Sequence, residues 1–558
     1  MKTVLMFCAF LCIFAVMGDG QTVLRLFNGL AAGDDFGSSV AGAGDVNWDG
    51  FADIVVGARW ADPGGQTLAG QATVYSGKDG SVLYTFNGSV AREYLGCSVA
   101  GAGDVNKDGL SDILVGAFGA CPGGRRYAGQ ATVFSGMDGS VLRTFNGLAA
   151  ADNLGTSVAG AGDVNRDGFP DLLVGASGAS PGGRTFAGQA TVFSGKDGSV
   201  LHTFNGLAHG DAFGCSVAGA GDVNRDGFPD FIVGAAGANP GGRTKAGQAT
   251  VFSGKDGRML HTFNGSAAVD SLGFSVAGAG DVNKDGFADL IVGAHGACPG
   301  GRRYAGQATV FSGKDGSVLH TFDGFVYCDY LGISVDGAGD LNRDGFPDVI
   351  VGACGADPGG RPGAGQAIVF SGKDGKVLYT LNGAAVADAF GFSVAAAGDV
   401  DRDGVPDLAV GAHLADPGGN ADAGQASVIS VANTSISGSG SPSIGGTVAL
   451  SLLSRNDGNL PYQVGTSLGT GPIPVDKRRI DLSPDSLLLA TVSNFWPSIF
   501  SGYRGVISTS GQAKAAINIP NIQAFIGLRI HTAFVTLDPQ APSGIKSIST
   551  TFSFTITK

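Results

Sequence analysis

Carboxylates recur in this chain at a spacing that suits a hard cation. The nonapeptide Asp45-Val46-Asn47-Trp48-Asp49-Gly50-Phe51-Ala52-Asp53 returns six times, each copy beginning 59 residues after the last. Position 1 is Asp45, Asp104, Asp163, Asp222, Asp281, Asp340 and Asp399; position 3 is Asn47, Asn106, Asn165, Asn224, Asn283, Asn342 and Asp401. Position 5 is Asp49, Asp108, Asp167, Asp226, Asp285, Asp344 and Asp403; position 9 is Asp53, Asp112, Asp171, Asp230, Asp289, Asp348 and Asp407. Position 7, which would offer a backbone carbonyl, is Phe51, Leu110, Phe169, Phe228, Phe287, Phe346 and Val405. A glycine at position 6 allows the sharp turn that folds both ends of such a loop onto one ion. Calcium suits this nearly all-protein oxygen cage, whereas magnesium demands a tighter octahedron and keeps more water. Up to seven Ca2+ ions are expected. Seven copies in register argue against Asx-rich turns arising by chance. EF-hand and dockerin loops need an acid at position 12, where this chain has Val56, Val115 or Val174.

The acidity of the chain follows from these loops. The formal net charge is −13, Glu93 is the sole glutamate, and 22 of the 47 aspartates lie in the nonapeptides. Seven divalent ions would bring the loaded protein close to neutrality. No basic stripe interleaved with aromatics is present, so nucleic acid is excluded as a partner. A hydrophobic share of 43% excludes disorder.

The elements that must carry the loops are short strands. In the second copy, Cys97 to Gly103 forms strand A, then the ion loop, then strand B from Asp112 to Ala117. A loop rich in Gly, Pro and Arg leads to strand C, Gln130 to Ser135, and the turn Gly136-Met137-Asp138-Gly139 leads to strand D, Val141 to Asn146. β-Branched and aromatic runs bounded by Gly, Asp and Asn are the strand signature, and no helical period appears. Four antiparallel strands per unit, seven times over, predict an all-β, seven-bladed propeller. Thr22 to Gly29 repeats the strand D pattern, whereas the seventh unit stops after its strand C near Ser430. The N-terminal strand therefore completes the last blade and removes an open edge. A–B and C–D connections then share one face of the disc, B–C and D–A connections the other.

Phe36-Gly37, the Gly57-Ala58 that follows strand B and the ion loop between them resemble FG-GAP repeats, the blades of the integrin α-subunit N-terminal propeller, over about residues 22 to 431. The resemblance implies the propeller fold and calcium binding on the face away from the ligand. Integrin propellers carry calcium loops in only some blades, whereas all seven carry one here. No membrane-spanning helix, cytoplasmic tail or long stalk is expected, so the resemblance does not imply an integrin.

The remaining segments set the compartment. Met1-Lys2, an apolar run from Val4 to Met17 and small residues near Gly18 to Gln21 read as a secretory signal over residues 1–20. The propeller spans 21–431, residues 432–443 form a Gly/Ser linker flexible by composition, and 444–558 alternate as a β-sandwich-like domain. That domain resembles the C-terminal β-modules of secreted bacterial repeat proteins, so cell-surface attachment or secretion sorting through it is one expectation and a plain structural module another. Six cysteines remain in the mature chain, Cys97, Cys121, Cys215, Cys298, Cys328 and Cys354, enough for three disulfides or for none.

Recognition is expected on the B–C and D–A face. The B–C loops carry Arg125, Arg184, Arg243, Arg302 and Arg361 at one repeated position, with Tyr127, Phe186 and Tyr304 two residues on. Guanidinium and aromatic groups in a ring suit acidic glycans or protein carboxylates. The competing reading is a self-satisfied rim, because the D–A loops carry an acid in every blade: Asp34, Glu93, Asp152, Asp211, Asp270, Asp329 and Asp388. The position after strand B varies most, through Arg59, Phe118, Ser177, Ala236, His295, Cys354 and His413. No nucleophile elbow, phosphate loop or zinc cluster appears, and His202, His261 and His320 follow the repeat as an outer solvated edge. The phospholipase D that cleaves glycosylphosphatidylinositol anchors has similar repeats beside a catalytic domain for which this chain has no room. The expectation is a non-enzymatic, secreted or cell-surface, calcium-binding adhesion module for an extracellular protein or polysaccharide. A structural envelope or matrix component without a discrete ligand is the alternative, and a hydrolase on a propeller scaffold ranks below both.

Overall fold

The computed structural model describes residues 21–431 without a break and, within 434–558, all but 455–459, 469–471, 476–477, 483–485, 493–498, 502, 509–511, 538–544 and 550–551. The proposed signal segment, 1–20, lies outside the described residues. Seven four-stranded antiparallel sheets follow one another as blades. Blade 1 consists of Phe36–Gly44, Asp53–Ala58, Gln71–Tyr75 and Val82–Asn87 as strands A to D. Blade 7 pairs Phe390–Gly398, Asp407–Ala412 and Gln425–Ser430 with the N-terminal strand Thr22–Asn28, antiparallel from Thr22↔Ser430 to Asn28↔Gln425. The chain closes as its strand pattern requires.

Strand B is buried along its whole length in every blade, as its continuous apolar run demands. Its side chains pack between neighbouring blades: one cluster joins Val55 and Val74 of blade 1 to Val99, Val115 and Phe134 of blade 2. At the outer end the strand D ring of one blade stacks on the strand C ring of the next. Phe86–Phe134 and Phe263–Phe311 have centroids 3.8 and 3.9 Å apart, and Phe27–Tyr75 makes the closing stack at 4.0 Å. Near the axis, a strand A serine of each blade accepts the backbone N–H of a valine in the next. The bonds run from Val99 N to Ser39 Oγ at 3.1 Å round to Val40 N to Ser393 Oγ at 3.1 Å. The ring of seven is complete.

The histidines of strand D are not a solvated edge. His202, His261 and His320 place Nε2 2.8, 2.6 and 2.6 Å from the carbonyls of Gly254, Gly313 and Gly372, each in the C–D turn of the following blade. Periodicity fixed their place on the strand but carried no information about the neighbouring blade. The six cysteines among the described residues are all free thiols.

The expected linker 432–443 is also corrected. Thr434–Gly440 is a strand paired residue for residue with Thr447–Ser454, from Thr434↔Ser454 to Gly440↔Val448. Gly/Ser composition signals a flexible chain only where no partner strand offers a backbone ladder. Among the described residues, two larger sheets and a two-stranded ribbon, Pro472–Val475 with Arg478–Asp481, build the C-terminal unit; one larger sheet is ordered from Thr434–Gly440 through Thr447–Ser454 and Gln512–Asn518 to Phe500–Ser501, the other is centred on Pro461–Ser467 and Arg529–Leu537. Val448, Leu450 and Ile517 of the first sheet share a core with Val464, Ile530 and Phe534 of the second. One short helix, Ser486–Val492, packs on this unit's Pro461–Ser467 strand.

Candidate metal centres and the opposite face

Each A–B loop is organised by its own side chains. In blade 1, Asp45 Oδ2 accepts Gly50 N at 2.8 Å, Asn47 Oδ1 accepts Asp49 N at 2.9 Å and Asp49 Oδ1 accepts Phe51 N at 2.9 Å. Asp53, fully buried, accepts Val46 N at 2.9 Å through one oxygen and Gly77 N at 3.0 Å through the other. Position 9 therefore ties the A–B loop to the C–D turn. The same bonds recur through Asp112, Asp171, Asp230, Asp289 and Asp348. Burial raises Asp53, Asp112, Asp171, Asp230 and Asp289 to about 6 and Asp348 to about 7, against the pull of their two backbone N–H groups. Carboxylates so placed favour neutralisation by a proton or a cation.

Blade 7 tests whether the donor set fits an ion. Carboxylate oxygens of Asp399, Asp401 and Asp403 lie within 4.8 Å of one another. Buried Asp399 Oδ1 and Asp407 Oδ1 have no hydrogen-bond partner. Oxygens this close can each stand at the 2.3 to 2.6 Å that calcium takes from its ligands. Burial raises Asp399, Asp403 and Asp407, the last well above the usual carboxylate range. In the other six loops asparagine replaces the third carboxylate, and the Asn106 amide donates to Asp108 at 2.8 Å. The residues of the blade 7 loop fit Ca2+, with positions 1, 3, 5 and 9 to supply side-chain oxygens and position 7 a carbonyl; the other six loops have the same positions with an amide oxygen at position 3.

Position 4 was not singled out by its sequence and proves to join the loops to one another. Trp48, Lys107, Arg166, Arg225, Lys284, Arg343 and Arg402 all hold a left-handed backbone, with φ between 57° and 64°. Each long side chain reaches the next blade. Arg166 donates from Nε to the Gly227 carbonyl at 3.0 Å and sits 4.1 Å from the Phe228 ring centroid. Arg402 closes the circle, donating to the carbonyls of Gly50 and Asp49 with its guanidinium 4.0 Å from Phe51. A lysine of the C–D turn covers the same ring, as Lys255 does Phe228 at 5.2 Å. The cation at position 4 in six of the seven copies, with an aromatic at position 7 in five, is the signal that could have found it.

The opposite face divides the expected ring. The D–A acids cap their own turns: Glu93 accepts Ser89 N and Val90 N at 2.8 and 3.1 Å, and Asp152, Asp211 and Asp329 do the same in their turns. Arg243, Arg302 and Arg361 donate to the carbonyls of Gly265, Gly324 and Gly383 in their own blades. Tyr127, Phe186 and Tyr304 share a left-handed backbone at φ 53° to 55°, and Tyr304 stacks on Tyr330 with centroids 6.0 Å apart. Where blades 1 and 2 meet, Arg59, Trp60, Tyr94, Phe118, Tyr127 and Asn153 line a cavity of about 530 Å³. Arg59 is ion-paired with buried Asp35, which burial raises to about 6 against that pairing. His413, 3.9 Å from the same carboxylate, is lowered to about 4 by burial and then by Arg59, so it is neutral at pH 7.

The FG-GAP repeat model matches residues 36–75, 98–134, 154–193, 213–252, 272–311, 331–370 and 390–429, one match per blade. The chain is an FG-GAP repeat protein. Its propeller resembles that of integrin α subunits: it is 33% identical to integrin alpha-5 of Xenopus laevis over 219 residues, 37% of this chain and 20% of that protein. Identity is 34% to integrin alpha-V of Gallus gallus over 239 residues, 40% of this chain and 22% of the relative. With human integrin alpha-IIb it is 34% over 170 residues, 28% of this chain and 16% of that one. This FG-GAP protein thus spans about a fifth of the length of the curated relatives it matches. Among its described residues no helix is long and apolar enough to cross a membrane.

Proposed function

We propose that this FG-GAP protein is an exported, calcium-binding recognition module that holds an extracellular protein or polysaccharide on its B–C and D–A face. The observation that carries the reading is the unequal treatment of the two faces. One face repeats seven oxygen-lined loops almost unchanged and links each to the next. The other varies through Arg59, Phe118, Ser177, Ala236, His295, Cys354 and His413 at a single position. Calcium supplies charge neutralisation to the first face, and the variable loops supply specificity on the second. Similarity to integrin α subunits supports an adhesive role. No catalytic step is assigned: three histidines bind neighbouring backbone carbonyls, and burial holds His295 and His413 below their usual range. The signal segment supports export, and the C-terminal sheets are proposed as the means of surface attachment.

The test is capture of matrix proteins and surface polysaccharides by the calcium-loaded full chain, beside a variant whose B–C loops in blades 1 and 2 are replaced by that of blade 4. Binding lost in the variant at unchanged calcium content is expected. Binding retained by the variant, or calcium-driven self-assembly with no ligand captured, would refute a recognition face and favour a structural component.

A further inference from the structure

At the cavity between blades 1 and 2 the sevenfold pattern breaks. Trp60 stands where five other blades have glycine, at Gly119, Gly178, Gly237, Gly296 and Gly355, and it is 40% exposed. Tyr94 and Phe118 lie face to face, with centroids 4.8 Å apart and planes 5° from parallel. Tyr127 forms a further wall. Aromatic faces with polar edges, concentrated in one concave site, are the composition of a small-ligand pocket.

Electrostatics narrows the ligand. The carboxylates nearby are engaged at home: Asp35 with Arg59, Asp62 with Leu68 N, Glu93 and Asp152 with their own turns. Arg92 and Arg126 make no ion pair among the described residues, and Arg126 stands 5.2 Å from the Tyr127 centroid at the rim. A cationic ligand would meet Arg59 5.2 Å from the Trp60 ring. A free carboxylate would find no open guanidinium on the floor, because Arg59 already serves Asp35. The fitting ligand lays a flat, uncharged ring face on the aromatics and carries its negative charge outward to Arg126 and Arg92.

We propose that this cavity binds a pyranose unit of an acidic polysaccharide, the sugar ring stacking on Trp60 and the Tyr94–Phe118 pair and the uronate or sulfate reaching Arg126. The inference rests on the recognition face proposed above and assigns that face a place and a ligand class. Sister blades provide substitutions that the fold already accepts: Trp60→Gly copies five blades, and Arg126→Thr copies Thr67, Thr185 and Thr244.

The experiment titrates the calcium-loaded full chain with hyaluronan oligosaccharides, chitin oligosaccharides of equal length and polyglutamate, by calorimetry and tryptophan fluorescence. Hyaluronan should quench fluorescence and bind at least about tenfold more weakly to Trp60→Gly. Arg126→Thr should weaken hyaluronan roughly fivefold and leave the weaker chitin binding unchanged. Hyaluronan affinity unchanged in Trp60→Gly overturns the cavity as the site. If that binding falls instead on substituting His295 or Tyr304, the recognition face itself stands. Binding of polyglutamate alone overturns the sugar class. Binding of none of the three by the native chain overturns the proposal, and the matrix-capture assay then decides the face independently.

Discussion

The link between neighbouring ion loops gives the sharpest quantitative test. Arg166 in the blade 3 loop donates to the Gly227 carbonyl and stands 4.1 Å from the Phe228 ring in the blade 4 loop. A cation over an exposed ring contributes about 0.5 to 1 kcal/mol, and a hydrogen bond typically about 0.5 to 1.5 kcal/mol. Arg166→Met keeps the unbranched stem out to the ε position and removes both the charge and the donor, so it should destabilise the propeller by about 1 to 2 kcal/mol. Phe228→Leu is the natural second arm, since blade 2 already has Leu110 at that position. A double-mutant cycle in urea should return a coupling of about 0.5 to 1 kcal/mol between the two residues. The same pair at Arg166 and Phe287, two blades apart, serves as a control and should be additive. A coupling below about 0.3 kcal/mol, or one equal to the control, would refute the idea that position 4 joins adjacent loops.

Three further outcomes follow from the same geometry. Carboxylates whose folded pKa is raised bind more protons folded than unfolded, so stability falls as pH rises through about 4 to 7. The calcium-free chain should therefore melt higher near pH 5.5 than near pH 7.5, and calcium should reverse the order by competing with those protons; a calcium-free melting temperature that rises over this range contradicts the burial of Asp53 and its counterparts. Away from the loops, Asp336 is raised to about 6 by burial while accepting Ala396 N at 2.9 Å in the next blade; Asp336→Ala, which copies Ala277, should flatten part of the same pH dependence without changing calcium content. Deleting residues 21–28 strips the last blade of its outer strand and bares the edge Gln425–Ser430. Aggregation on refolding is the expected result, read by light scattering, and a monomeric, fully stable product would show that the clasp is dispensable.

The sequence shows the blade plan because each blade is a local object. Strands Asp112–Ala117 and Val141–Asn146 occupy the residues their β-branched runs mark out. The closing strand was legible too, since Thr22 to Gly29 repeats a pattern that the seventh unit lacks. Contacts between blades were not legible. Ser39, His202 and Arg166 each act on a blade that begins only after a further turn of the chain, and no period within a single copy reveals a partner 52 to 61 residues away. Three of the B–C arginines were opaque for a related reason: Arg243, Arg302 and Arg361 meet carbonyls of their own D–A turns, a contact set by how two loops fold together. The cavity at Trp60 needed residues from four loops, Arg59 and Trp60, Tyr94, Phe118 and Tyr127, and Asn153, to be seen side by side.

Calcium in the A–B loops is the central claim, and counting it is the most direct measurement. Calorimetric titration of the chelator-stripped full chain should show uptake of several ions, up to seven per chain, with dissociation constants of roughly 10⁻⁴ to 10⁻³ M. Uptake of one ion or none at millimolar calcium would contradict the account.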